Sequence, residues 1–189
     1  MKAGRVFRKF TLGDSRKVVL REANLRDLDK LLAFINGLVS EKRRDENSQL
    51  FTGFESRLTK RQEAEWLNDL VRRIRRGDTI SVLAELDGEV VGNGEITRGS
   101  YMETRHHGHI GLTIRGAYRG LGIGREMVKV LLTEARRQGL RTVHVEFLST
   151  NKAAARVYEK AGFKRVGNVP GKVYRKGRFL DSLIMARRL

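Results

Sequence analysis

The feature that most constrains this chain is a run of alternating glycines in Arg119-Gly120-Leu121-Gly122-Ile123-Gly124-Arg125. The run follows a β-like segment, His109 to Ile114. It opens a stretch, Gly122 to Gln138, in which Met127, Val128, Leu131, Leu132 and Ala135 recur at helical spacing. A strand-to-helix turn of this kind leaves unpaired N–H groups at a helix N-terminus, where the macrodipole favours an anion. Glycine lets the backbone come close to such a guest. Arg119 and Arg125 add positive charge, so a pyrophosphate is the expected ligand. The P-loop pattern is excluded, because Arg125-Glu126 stands where Lys-Ser or Lys-Thr is required. The dinucleotide pattern Gly-x-Gly-x-x-Gly fails too: its last glycine would fall on Arg125 or Met127.

The rest of the chain supplies a fold for this turn. Val6 to Thr11 and Lys17 to Arg21 flank Leu12-Gly13-Asp14-Ser15 as a hairpin. Asn24 is placed to cap a helix whose buried face runs from Leu25 and Leu28 to Leu38 and Val39. Glu41 to Leu58 is polar and weakly periodic, a loop or short helix. Thr59 and Gln62 form a capping-box pair ahead of a stripe of Trp66, Leu67, Leu70, Val71 and Ile74. Thr79 to Leu86 and Glu89 to Thr97 join through Asp87-Gly88 as a tight hairpin. After the glycine turn and its helix come a strand at Thr142 to Leu148, a helix at Asn151 to Lys160 and two short strands. The order is β-β-α-α-β-β-β-α-β-α-β-β, with no repeat and no linker long enough to separate a pair of domains. We expect one α/β domain at 17–189, preceded by an extension, 1–16, that forms a hairpin strand.

Charge narrows the partners. Lys and Arg outnumber Asp and Glu by 39 to 22, a formal charge of +17, which favours anionic ligands, acidic proteins or nucleic-acid-associated ones. Aromatic residues make up only 7% and no nucleic-acid-binding motif is visible, which weighs against a basic nucleic-acid-binding module. The chain has no cysteine, hence no thiolate nucleophile or cysteine-held metal. His106, His107 and His109 have no supporting carboxylate pattern, so no metal is expected. With no apolar run of membrane-spanning length and no signal-peptide pattern, the expectation is a cytoplasmic protein without membrane association. A homodimer is compatible with the sequence.

Two motifs together resemble the GNAT superfamily of acyl-CoA-dependent N-acetyltransferases. Arg119 to Gly124 matches its Arg/Gln-x-x-Gly-x-Gly/Ala signature, and Asn151 to Phe163 is close to its Asn-x-x-Ala-x-x-x-Tyr-x-x-x-Gly-Phe. The resemblance implies a single domain with a mixed, mostly antiparallel sheet, splayed between its fourth and fifth strands and flanked by about four helices. It implies acetyl-CoA as co-substrate, no metal, and direct transfer of acetyl to a primary amine in a ternary complex. The acceptor would be a small-molecule amine, an amino acid or a protein amino group. An acyl-CoA-binding regulator without catalysis is the alternative.

The resemblance also assigns roles. Leu112, Thr113 and Ile114 would meet the pantetheine arm through their backbone. Arg119, Gly120, Leu121, Gly122, Ile123, Gly124 and Arg125 would hold the pyrophosphate, with Asn151 and Ala154 lining the same groove. Tyr158 would protonate the departing thiolate. The base is open between His109, which stands where relatives often carry a glutamate, and Glu95 on the preceding strand. Asn36, Glu41 and Asp181 are the expected acceptor-binding residues. Since like charges repel, a neutral or anionic amine suits a chain of +17 better than a polyamine.

Overall fold

Apolar periodicity alternates between the strand and helix periods along this chain, and the elements follow it. The computed structural model describes residues 4–45, 47–51 and 53–189. The elements are β1 (Val6–Thr11), β2 (Lys17–Arg21), α1 (Leu28–Arg44), α2 (Lys60–Arg76), β3 (Thr79–Leu86), β4 (Glu89–Arg98) and β5 (His107–Ile114). They continue as α3 (Ile123–Arg137), β6 (Thr142–Leu148), α4 (Lys152–Lys160), β7 (Lys164–Arg175) and β8 (Arg178–Arg188). This is the expected order. The first three residues of the expected extension lie outside the described residues.

Boundaries move where local hydrogen bonds decide them. The Asn24 side chain accepts from the Arg26 N–H while Asp27 accepts from the Asn24 N–H, so the cap serves a single 3-10 turn and α1 begins after it. Thr59 and Gln62 cap α2 reciprocally, as expected. The last two strands, expected to be short, run to 12 and 11 residues. Unbroken exposure from Lys164 to Pro170 erases the in-out alternation by which a strand is recognised, and it returns only from Gly171 to Arg175. Pro170 sits in this outer strand, within an irregular stretch of the β7–β8 ladder, where no interior rung is lost.

The eight strands form one sheet in the order β1-β2-β3-β4-β5-β6-β8-β7, and β5 and β6 are its one parallel pair. That pair is brief: His107, Gly108 and His109 stand opposite Thr142, Val143 and His144. Beyond His109 the two strands separate, although β5 stays paired with β4 to Ile114 and β6 with β8 to Leu148. Not counting the N-terminal β1, this is the opening expected between strands four and five.

Helices cover both faces. On one side α3 and α4 pack against the sheet through Met127, Leu131, Ala155 and Tyr158, which join Ile96, Ile110, Val143 and Val145 in the larger core. On the other, α1 and α2 bury Leu31, Phe34, Leu38, Leu67 and Leu70 with Leu83 and Val90. Polar staples tie the layers. Arg21 on β2 donates to both Asp27 and Glu85, and Arg98 donates to the carbonyls of Gly77, Arg105 and Gln138. Hydrogen bonds to a charged guanidinium are among the stronger ones, so these two arginines fix how the helices meet the sheet.

Candidate active site

Where β5 and β6 diverge, the sheet opens into a groove of about 640 Å³. Because strand side chains alternate between faces, the groove has two chemically distinct walls. Toward α3 and α4 it is lined by Leu112, Val145, Phe147, Ala154 and Tyr158. Toward α1 and α2 it is lined by Asn93, Glu95, Thr97, His109 and Glu146. An apolar channel on one side of the sheet therefore meets a cluster of titratable groups on the other.

The glycine turn stands at the apolar end. Gly120 and Gly122 have φ of 79° and 85°, a conformation side-chain-bearing residues rarely adopt, and a Cβ at either would meet no protein atom within 4 Å. The space before the N-terminus of α3 is thus open, and its first-turn N–H groups have no intrahelical acceptor. An anionic phosphate fits this cradle. Arg119 is already engaged: its Nε donates to the Ile114 carbonyl at 2.9 Å and its guanidinium pairs with Glu41 at 2.5 Å. Glu41 also accepts from the Gly116 N–H at 2.9 Å. Arg125 lies at the same end, 3.3 Å from Glu126.

Tyr158 is 4% exposed, packed 5.7 Å from Phe147 and 5.2 Å from Phe163 between ring centroids. Its position follows from helix periodicity: Asn151 caps α4 by accepting from the Ala154 N–H, and Ala154 and Tyr158 lie on the groove face of that helix. Burial pushes the Tyr158 hydroxyl well above its ordinary value, so it holds its proton at any working pH.

On the polar wall the two candidate bases lie close together, since β4 and β5 pair Glu95 with Gly111 and Thr97 with His109. Burial raises Glu95 above the usual carboxylate value, opposed by the Asn93 amide, which donates at 3.3 Å, and by the charge of Arg73. Burial lowers His109, and the Glu146 carboxylate works against that shift. Burial disfavours charge on both groups: it keeps His109 neutral and able to accept a proton at neutral pH, and it favours the protonated acid at Glu95. Glu146 itself is held below its ordinary value: burial opposes this, but the Lys172 ammonium and the Ser182 hydroxyl, each at 2.5 Å, outweigh it.

The three expected acceptor residues are placed differently. Asn36 clamps the Leu58 backbone, donating to its carbonyl at 3.0 Å and accepting from its N–H at 2.7 Å. Glu41 faces the phosphate turn. Asp181 accepts from the Gly171 N–H and from Asn168 in the β7–β8 ladder. None of the three lines the groove; Gln49, Leu50 and Phe51 from the α1–α2 loop do. Arg175 holds that loop, donating to the Ser48 and Leu50 carbonyls at 2.6 Å each. Phe51 also borders a second cavity of about 360 Å³, where Phe54 and Tyr174 stand beside Arg43 and Arg175. Sequence reasoning missed Glu146 and His144. The signal was present: polar residues alternating with Val143, Val145 and Phe147 place one polar face of β6 over the groove. Among the described residues no group of three His, Asp or Glu side chains could hold a metal ion, and no helix is long and apolar enough to cross a membrane.

Known proteins share this architecture. The profile of the acetyltransferase (GNAT) family matches residues 40–163. An L-methionine sulfoximine/L-methionine sulfone acetyltransferase of Pseudomonas aeruginosa is 28% identical over 172 residues, covering 88% of this chain and 91% of that protein. The crystal structure of a ribosomal-protein-alanine N-acetyltransferase from Brucella melitensis superposes with a TM-score of 0.76 at 28% identity, covering 90% of this chain and 99% of that one. A ribosomal L7/L12 alpha-N-protein acetyltransferase in complex with coenzyme A shares the fold at 18% identity, with a TM-score of 0.79 and 98% coverage of both chains.

Proposed function

This chain belongs to the acetyltransferase (GNAT) family, an acetyl-CoA-dependent N-acetyltransferase, and from that premise we propose which residues carry the transfer. The observation that carries the reading is the single groove that runs from Ile114 and Arg119, at the edge of the glycine turn, past Tyr158 to Glu95 and His109 through the gap in the sheet. When bound, acetyl-CoA supplies the acetyl group as an activated thioester. Gly120 to Gly124 and the first turn of α3 hold its pyrophosphate through backbone N–H groups, with Arg119 and Arg125 adding charge. Backbone groups of Leu112, Thr113 and Ile114 on the unpaired side of β5 take the pantetheine arm and offer donors to the carbonyl. Asn151 and Ala154 border the same channel.

The chain must also move two protons. An amine attacks only when neutral, so a group on the polar wall takes its proton; we assign this to His109, which faces the groove, with Glu95 as the neighbouring carboxylate. The leaving thiolate needs a proton, and Tyr158, buried and fully protonated, holds one beside the channel. The acceptor enters from the polar wall. The cavity beyond Phe51 sets apolar rings beside charges of both signs, Arg43 and Arg175 with Asp45 and Glu55, which suits an acceptor that carries an apolar body together with an amino and an anionic group, such as an amino acid. The named relatives, acetyltransferases of methionine sulfoximine and sulfone and of ribosomal-protein alanine, support that class. The cytoplasm is the compartment that best suits such acceptors.

The test is an acceptor screen that reads released thiol, run beside Tyr158→Phe. Amino acids or peptide amino termini should outperform polyamines. The variant should lose about 100-fold in kcat while its affinity for acetyl-CoA stays within a few-fold. A screen led by spermidine would overturn the acceptor class, and unchanged turnover would remove Tyr158 from the reaction.

A further inference from the structure

Each face of the sheet is covered by a helix pair, and the two pairs differ in charge. On α3 the exposed side chains are Arg125, Lys129, Arg136 and Arg137, with Thr133. The carboxylates of that helix, Glu126 and Glu134, are buried and already hold arginine or lysine partners. On α4, Lys152, Arg156 and Lys160 follow at four-residue steps, about 6 Å apart along the axis. They are exposed, on the side turned away from Ala154 and Tyr158. The one exposed acid on these two helices, Glu159, is bound to Arg165 of β7. Among the described residues no carboxylate pairs with Arg136, Lys152, Arg156 or Lys160. The two helices also end together. Arg187 of β8 donates to the Ala161 carbonyl just past α4, and its guanidinium is lowered by burial and by the charge of Arg136 in the last turn of α3.

The opposite face is built differently. There α2 pairs Arg61 with Glu65 and Arg73 with Asp69 along its own surface, and Lys60 meets Asp29 of α1. Charges of both signs cancel locally on that side, whereas on α3 and α4 the cations accumulate. We propose that the α3–α4 face is a docking surface for the phosphate backbone of a nucleic-acid duplex, separate from the groove in which acetyl-CoA and the acceptor meet.

Charge and shape both select this partner. A duplex carries one negative charge per about 1.7 Å of its axis, a density that the cation row on α4 and the convergence at its C-terminal end can meet. The four unpaired cations have no internal salt bridge to break, so each phosphate contact releases counterions at no cost to the fold. Neither α3 nor α4 has a large apolar or aromatic side chain exposed. A single strand calls for rings on which bases stack, and a protein partner for an aromatic or apolar anchor; this face offers neither. The helices lie side by side on the sheet, so neither stands out to enter a groove and read base edges. Contacts made this way position a backbone without selecting a sequence.

The experiment follows a short labelled RNA duplex, and the DNA duplex of the same sequence, by fluorescence anisotropy over a range of salt concentrations. Wild type is compared with Arg136→Gln/Arg156→Gln/Lys160→Gln and with Arg26→Gln/Arg44→Gln/Arg72→Gln, which removes the same charge from exposed positions around α1 and α2. Both duplexes should bind wild type alike, with log Kd rising linearly with log salt. The first variant should bind about tenfold more weakly and lose about one unit of salt slope per cation removed, while its acetyl-transfer turnover stays at the wild-type level. The second should lose far less. Equal losses in the two variants would assign the binding to net charge and overturn the surface. Displacement of the duplex by saturating acetyl-CoA would assign it to the pyrophosphate cradle instead. A tighter hold on poly-glutamate would make the partner an acidic protein, and binding confined to single strands or to one duplex would overturn the backbone contact. Absence of duplex binding at low salt would end the proposal outright.

Discussion

At the scale of single residues, Glu63 offers the simplest test of how burial sets charge in this chain. It lies in the first turn of α2, is 3% exposed, and burial alone pushes its carboxyl up to about 7. Its folded value exceeds the unfolded value of 4.5, so what it adds to stability is whole below about pH 4.5 and lost as pH rises through about 7. Glu63→Gln should therefore raise stability by about 1–2 kcal/mol at pH 8 and leave it unchanged at pH 4, as read by urea denaturation. The proposed base and its neighbouring carboxylate give a second test. With His109 lowered and required unprotonated, kcat/KM should fall with acid only below the ordinary histidine value of 6.5. That limb should vanish in His109→Gln and persist in Glu95→Gln; the reverse pattern would make Glu95 the base. These residues were unequally legible. Tyr158 and the glycines sit in local motifs whose spacing announces them. For Glu146 and His144 the alternation along β6 marks a polar face, but which strand that face meets is set by pairing across long sequence separations, which no local pattern records.

At the scale of elements, the loop between α1 and α2 is held from three sides. Asn36 clamps Leu58, Arg175 on β7 grips the Ser48 and Leu50 carbonyls, and Thr150 donates to Gln49. Since Gln49, Leu50 and Phe51 border the groove, the far hairpin helps shape the groove without lining it, and it lines the neighbouring cavity through Tyr174 and Arg175. Arg175→Ala should raise the acceptor KM by roughly tenfold, the worth of one charge-assisted interaction, and leave the acetyl-CoA KM unchanged in steady-state kinetics. The helices and the β3–β4 hairpin could be read from the sequence because caps, apolar stripes and turn residues are local. The roles expected of Asn36 and Asp181 could not be checked that way. A polar residue near a site either touches the ligand or braces the backbone, and only the fold shows that both are engaged as braces here.

At the scale of the whole molecule, the larger core and the helical layers brace a sheet whose two sections, β1 to β5 and β6 with β8 and β7, share three register pairs. The proposed acetyl-CoA site spans that division, so saturating it should stabilise the fold by about 2.7 kcal/mol at one hundred times its Kd, visible as a rise in melting temperature. The gap seen in the sheet has one more consequence. From Ile110 to Ile114 the inner side of β5 carries backbone groups that no strand pairs, a sticky margin of the kind proteins usually blunt at a sheet's outer rim. This chain hides it in mid-sheet and cannot charge or bulge it without losing the channel. Its guard is occupancy: a concentrated ligand-free sample should scatter light sooner on warming than one saturated with coenzyme A.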